Sequence, residues 1–293
     1  MEIRFWGTRG SIPAPGPETL EFGGNTTCVE VILASGRRVV IDGGTGLRLL
    51  GRELSRHEAP CHFHLLLTHG HWDHLLGIPF FAPIYRATTE ILVDGWPPAF
   101  QAMTRVFDSH MGDGFFPVAF DHLKARIDYI NRLSHGPLTL DGARIEAINL
   151  NHPQGGFGFR FREGDYTMAF ITDNELSAGR GSRTPDFVKF VRGCNLLIHD
   201  AQYLPADLPE RRGWGHSSYD EVVKLAQQAG VRNLILTHHD PSRSDTGVKE
   251  IIDRARELAG AAKYPEFIDA AREGACYRLA PGLGAVVKGE KRP

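Results

Sequence analysis

The sequence predicts a layered α/β protein, and three observations predict it. Apolar runs of strand length recur along the chain, separated by Gly- and Pro-rich turns. Stretches with apolar residues at helical spacing lie between them. Five of the apolar runs are followed at once by His or Asp. Functional groups gather in this way where a rigid sheet delivers them to the loops at its strand ends.

Composition sets the bounds. A chain of 293 residues with 42% hydrophobic content buries a full core, and no repeat, low-complexity tract or linker divides it. We expect one domain over residues 1–293, elaborated at about 77–137. The formal net charge of -2 gives no global basic field to attract nucleic acid. Four cysteines, Cys28, Cys61, Cys194 and Cys276, show no Cys-x-x-Cys spacing and suit reduced thiols in the cytoplasm. The N-terminus lacks an apolar leader, and no stretch approaches the ~20 apolar residues of a membrane span, so the expectation is a soluble, cytoplasmic protein.

Residues 2 to 6 alternate polar and apolar as a half-buried strand does, and Gly7 to Pro13 is a loop kept extended by Pro13, Pro15 and Pro17. Cys28 to Leu33 and Arg38 to Ile41 flank the turn Ser35-Gly36 as a hairpin, ending at Asp42-Gly43-Gly44. Leu47 to His57 has helical spacing, and His62 to Thr68 is a buried strand. From Leu75 to about Leu138 the pattern weakens, broken by Pro79, Pro83, Pro97 and Pro98 and by a loop at Gly112-Asp113-Gly114. Phe100, Phe107, Phe115, Phe116 and Phe120 crowd this region as local core with a homodimer surface, or as the wall of a substrate pocket.

The strand pattern then returns. Ala143 to Leu150 ends at Asn151-His152, Tyr166 to Thr172 at Asp173, Leu196 to Ile198 at His199-Asp200, and Leu234 to Thr237 at His238-His239-Asp240. Ser218-Tyr219-Asp220-Glu221 has capping-box spacing for a helix that Gly230 ends. Asp245 or Thr246 caps another helix with Val248, Ile251, Ile252 and Ala255 on one face, and the tail from Gly289 is disordered.

The densest chemistry follows the strand at Leu65-Leu66-Leu67. His69, His71, Asp73 and His74 fall within six residues. Imidazole and carboxylate suit Zn²⁺ and similar first-row ions. His69 and His71 alternate around Gly70 and so face one ion, while Asp73 and His74 are displaced toward a second. Elsewhere the residues taken singly leave alternatives open. His152 is equally a capping or core histidine, and Asp173 in Ile-Thr-Asp-Asn equally a turn residue.

The pattern His69-x-His71-x-Asp73-His74 resembles the signature of the metallo-β-lactamase fold hydrolases. The resemblance implies a single-domain, four-layer αββα sandwich with metals at one edge between the sheets. It makes His69, His71 and His152 the first metal's histidines, Asp73, His74 and His238 the second metal's ligands, and Asp173 the bridge between them. The family's last ligand is the first His after an apolar strand and Thr, which favours His238 over His239. His239 would then support a ligand or face substrate. Two divalent ions follow, Zn by ligand type, with Mn or Fe as alternatives.

Gly215-His216-Ser217-Ser218, together with His199-Asp200-Ala201, resembles the Gly-His-Ser-Thr and His-Glu-Ala-Thr segments of the tRNA 3′-processing endonuclease (ribonuclease Z) branch. Phe5-Trp6-Gly7-Thr8, Asn25-Thr26-Thr27 and Leu236-Thr237-His238 are similar to that branch and to the PhnP-like phosphodiesterases. The resemblance implies Asp73, His216 and Asp200 as catalytic residues, with His216 the general acid and Asp200, shorter than the branch's Glu, its orienter. The bland reading of His216 is a residue at a helix start bonded to backbone.

The expected activity is a di-metal phosphodiesterase that attacks a small or cyclic phosphodiester with a metal-bound hydroxide. RNA is less favoured, because the tRNA-gripping basic arm of ribonuclease Z is not recognisable. Arg180-Gly181-Ser182-Arg183 and Arg211-Arg212 read as solvated loop charge. The alternatives are a thioester or lactone hydrolase of the glyoxalase II type and a metal-dependent binding or sensing module. A flavo-diiron oxidoreductase fits less well, since that branch has Glu where this chain has His71.

Overall fold

The computed structural model describes residues 1–56, 59–111, 116–176, 183–279 and 287–289. Outside these lie the far end of the first expected helix at His57, the loop Gly112 to Gly114, Phe115, Arg180 to Ser182 of one basic cluster, and the tail from Glu290.

Among the described residues, fifteen strands form two sheets. The first sheet takes β1 (Glu2–Gly7), β2 (Cys28–Ile32), β3 (Arg38–Ile41), β4 (Cys61–Leu67), β5 (Thr89–Gly95) and β6 (Arg126–Tyr129) in spatial order. The second takes β7 (Leu138–Leu140), β8 (Ala143–Asn149), β9 (Phe157–Glu163), β10 (Tyr166–Ile171), β11 (Leu196–Asp200), β12 (Asn233–Thr237) and β13 (Phe267–Ala270). The chain then returns to the first sheet, where β14 (Cys276–Arg278) pairs with β1 and β15 (Val287–Gly289) forms the edge. Each sheet is antiparallel over one part and parallel over the other. The parallel parts are β3 to β6 and β10 to β13.

Alternation along the strands builds the layers, since successive side chains leave a strand on opposite faces. In β10, Met168 and Phe170 enter the apolar layer between the sheets, while Ala169 and Ile171 face outward. In β3, Val39 and Ile41 enter the same inner layer and Val40 faces out. Helices α1 (Leu47–Leu54), α2 (Trp72–Leu75) and α3 (Pro97–His110) contribute to the cluster outside the first sheet. Helices α4 (Thr184–Phe190), α6 (Tyr219–Ala229) and α7 (Asp245–Ala259) cover the second, and the short α5 (Leu208–Arg211) lies between α4 and α6 in the chain. Three apolar layers between four layers of secondary structure make the αββα sandwich.

The region read as weak between Leu75 and Leu138 holds β5, α3 and β6. Pro97 and Pro98 open α3 rather than break it, because a proline in the first turn sacrifices no helical hydrogen bond. The phenylalanines there pack locally: Phe100 stacks on Tyr129 at 4.4 Å, and Phe116 sits edge-on to Phe80 at 5.5 Å. The Ser218 capping box and the left-handed Gly230 bound α6 as expected. The cap of α7 is Ser244, which accepts from Gly247 N, and not Asp245 or Thr246. Asp245 turns outward from that helix start, its carboxylate accepting from the backbone N–H of Glu21 and Phe22.

Candidate metal centre

The ends of strands from both sheets meet at one rim. His69 and His71 follow β4, Asp73 and His74 lie in α2, His152 follows β8, Asp173 follows β10, Asp200 ends β11 and His238 follows β12. Asp173 and His238 both take the left-handed backbone conformation, with φ of 53° and 58°. Neither is a glycine, and non-glycine residues held there cluster at functional sites.

The side chains converge in two groups, His69, His71 and His152 in one and Asp73, His74, Asp173 and His238 in the other. Within each, donor atoms lie within 4.8 Å of one another. In the first group the three imidazole rings stand 4.6 to 4.7 Å apart between centroids. In the second, His74 Nε2 is 3.3 Å from both Asp73 Oδ2 and Asp173 Oδ2, and His238 Nε2 is 3.3 Å from Asp73 Oδ2 and Asp173 Oδ1. Asp173 Oδ1 also reaches 3.7 Å from His69 Nε2, so this carboxylate touches both groups.

The donor chemistry fits a pair of divalent ions. His69 Nε2, His74 Nε2 and His152 Nδ1 are buried and make no hydrogen bond among the described residues. Buried polar atoms are rarely left so. For His69 and His74 the opposite ring nitrogen is held instead, and so is Nδ1 of His238. His74 Nδ1 is 2.7 Å from Asp42 Oδ2, His69 Nδ1 is 3.0 Å from Thr68 Oγ1, and His238 Nδ1 is 2.8 Å from Gln202 Oε1. Metal-binding histidines are oriented by such partners, which leave the other nitrogen's lone pair for the ion. Asp42 is itself fixed by Thr68 N and Thr68 Oγ1, at 2.8 and 2.7 Å.

The charges sort by neighbour. Burial would raise Asp73 and Asp173, but the imidazoles against them, His74 for Asp73 and His238 for Asp173, hold both carboxyls well below their ordinary range. Burial opposes the charge of His74, yet Asp73, Asp173 and Asp42 raise it well above the usual imidazole value. His69 and His152 go the other way: burial pushes His69 well below that value and His152 down to about 4.

Beside these groups stands His216, just before α6. Its Nδ1 is 3.1 Å from Asp200 Oδ2, and its ring stacks on His238 with centroids 5.0 Å apart. Burial disfavours its charge, but the bond to Asp200 and the field of Asp173 raise its pKa overall. Asp200 is fully buried and also accepts from Asn174 N and Ser217 N, each at 3.1 Å. Glu175 carries the loop before His216, its Oε2 accepting from Gly213 N and Gly215 N. A Cβ on Gly215 would collide with the His152 ring, so only glycine lets this loop pack there. His239 turns away from the rim, with Nε2 on the Ala271 carbonyl at 3.0 Å and its ring edge-on to Phe22.

The supporting set of Asp42, Thr68, Glu175, Gln202 and Ser11 carries no spacing signal. Only Asp42, at the end of an apolar run before two glycines, offered one.

Residues 37–239 match the model of the beta-lactamase superfamily domain. A ribonuclease Z from Bradyrhizobium sp. (strain ORS 278) is 25% identical over 336 residues, spanning 92% of this chain and 98% of that protein. The metallo-beta-lactamase fold protein YhfI from Bacillus subtilis superposes with a TM-score of 0.65 at 19% identity, covering 94% of this chain and 97% of its own. A diphosphatase of the PhnP family gives 0.66 at 18% identity, covering 95% and 98%. Among the described residues, no helix is long and apolar enough to cross a membrane. With the matched span covering most of the chain and the two sheets stacked as described, this protein belongs to the beta-lactamase superfamily domain family, as a metallo-β-lactamase fold hydrolase.

Proposed function

We propose that the chain is a two-metal phosphodiesterase acting on a small or cyclic phosphodiester, with His216 as its general acid. The observation that carries this reading is the Asp200–His216 pair set against both ligand groups, His216 lying 5.0 Å from the His238 ring and 6.2 Å from that of His152. Hydrolysis of a thioester expels a thiolate and gives such a pair little task, whereas a departing alkoxide needs a proton.

His69, His71 and His152 would hold a first ion and Asp73, His74 and His238 a second, with Asp173 within reach of both groups. We assign zinc from the imidazole-rich donor set, with manganese or iron as alternatives. When bound, the ions neutralise phosphoryl oxygens and ionise a water. The remaining work falls to the chain. Asp200 accepts a hydrogen bond from His216 Nδ1–H, which leaves Nε2 to carry the transferable proton. The bond to Asp200 favours the protonated ring. Glu175 holds the approach loop so that the ring stays on His238. The net charge of -2 supports a small substrate over RNA, although the Bradyrhizobium relative is named as a ribonuclease. Four unpaired cysteines suit a cytoplasmic setting.

The test compares two substrates on zinc-loaded protein. A 2′,3′-cyclic mononucleotide expels an alkoxide, and bis(p-nitrophenyl) phosphate a stable phenolate. His216→Ala should cut turnover of the cyclic substrate by ~10²–10⁴ while sparing the aryl diester by comparison and leaving metal content intact. Loss of metal together with activity would make His216 structural. Metal-loaded protein inert to both diesters but active on thioesters would replace the reading.

A further inference from the structure

One loop reaches both ends of the second ligand group. The backbone N–H of Ser11 donates to Asp73 Oδ2 at 2.7 Å, and Ser11 Oγ accepts from Gln202 Nε2 at 3.3 Å. Gln202 Oε1 in turn accepts from His238 Nδ1 at 2.8 Å. A carboxamide oxygen accepts only, so this bond puts the His238 proton on Nδ1 and leaves the Nε2 lone pair facing Asp73 and Asp173.

The brace cannot drift. Ser11 sits at φ 64°, and its neighbour Arg9 is wholly buried with its guanidinium on backbone carbonyls alone. It donates to Gly23 O at 3.1 and 2.8 Å, and to Asp240 O and Arg243 O at 2.9 Å. Arg243 closes the circuit by donating to Gln202 O at 2.9 Å. Gly10 lies against the His238 ring, where a Cβ would collide. In the first group, His71 meets the side chain of Gln154 at 3.0 Å and exposed to solvent, and His152 Nδ1 has no hydrogen-bond partner among the described residues.

We infer that Gln202, held by the Arg9–Ser11 loop, is a positioning residue that selects the His238 nitrogen offered to the second ion, and so sets how tightly that ion is held. The loop lies outside residues 37–239, the span matched to the family, whereas Gln202 and His238 lie within it. The inference rests on the reading that Asp73, His74, Asp173 and His238 hold a metal.

The experiment titrates full-length protein with Zn²⁺ against a chelator of known affinity and repeats it with Co²⁺, whose visible spectrum reports ligand geometry. Wild type should take two ions, matching the two groups. Gln202→Leu should bind the second ion ~10–100-fold more weakly and alter the Co²⁺ spectrum, with the first ion unaffected. Gln202→Glu, which keeps an acceptor on Nδ1, should restore both ions. Should Gln202→Leu fail to fold, Gln202→Met, similar in shape and lacking the acceptor, carries the same expectation. Wild-type affinity for both ions in a folded Leu or Met variant overturns the inference alone. A wild type that binds fewer than two ions overturns the inference and the metal reading together.

Discussion

The two ligand groups share a rim and the carboxylate of Asp173, yet they are made of different chemistry. The first is three imidazoles, of which His71 and His152 are partly open to solvent. Burial lowers the pKa of His69 and His152, so these two rings favour the neutral form that offers a lone pair. The second is wholly buried and opposes two carboxylates to two imidazoles, with Asp42, Gln202 and the Ser11 backbone bracing them from outside. Buried charge needs partners to survive. The second group therefore leans on a buried charged frame, whereas the first has the neutral side chains of Thr68 on His69 and Gln154 on His71. The difference predicts that an ion in the more open first group would exchange more readily than one in the buried second group.

The largest effect should come from removing what the groups share. Asp173→Ala deletes the carboxylate beside His69, His74 and His238, and should release both ions and abolish phosphodiester turnover. Metal analysis after dialysis checks it, and a variant retaining both ions would break the idea of a shared bridge.

Next, His152→Ala should leave about one ion per chain, held by the second group. Asp73→Ala should strip the second position first. If the two variants lose the same ion, the contrast between the groups is wrong. Asp42→Asn should be milder, weakening the second ion by ~10–100-fold, because an amide receives the His74 Nδ1 proton less well than a carboxylate. A chelator titration reads it, and an unchanged affinity would mean that the frame matters less than the ligands.

The smallest effect sharpens the comparison from outside the site. His64 on β4 is buried with no hydrogen bond to Nδ1 among the described residues, and burial lowers its pKa to about 4 from 6.5. The unfolded chain takes up this proton as pH falls through 6.5, and the folded protein does so only near 4. Stability is therefore lost as pH drops across that interval. His64→Leu should remove this part of the acid slope and raise stability at pH 7 by about 1 kcal/mol, since an unsatisfied buried nitrogen goes with it. Thermal melts at pH 7 and 4.5 check both parts. An unchanged slope would mean that His64 is not held neutral by burial.

What could be read beforehand follows from periodicity and local chemistry. Apolar runs ending in His or Asp marked the rim, and Ser218 with Gly230 marked α6, because strand ends and caps are written in adjacent residues. Pairing partners far apart in the chain were not legible. Gln202 looks like any polar loop residue until folding brings His238 to it, 36 positions later. β5 and β6 hid among prolines that serve as helix and turn starts. The α7 cap was misplaced because Ser244, Asp245 and Thr246 are three good caps in a row, and only the tertiary pull of Glu21 and Phe22 on Asp245 decides among them.

Each ligand group draws from both sheets. His69 and His71 come from the first sheet and His152 from the second, while Asp73 and His74 face Asp173 and His238 across the same divide. An ion in either place is thus a rivet through the sandwich, set at the open edge where the inner apolar layer ends. The sheets cannot slide or splay there without breaking coordination. Bound metal would then stabilise the fold as well as serve the chemistry: by mass action, ions at a hundred times their dissociation constant would add about 2.7 kcal/mol per site against unfolding. Withdrawing the metal would then loosen the join between the two sheets along with the reactive edge.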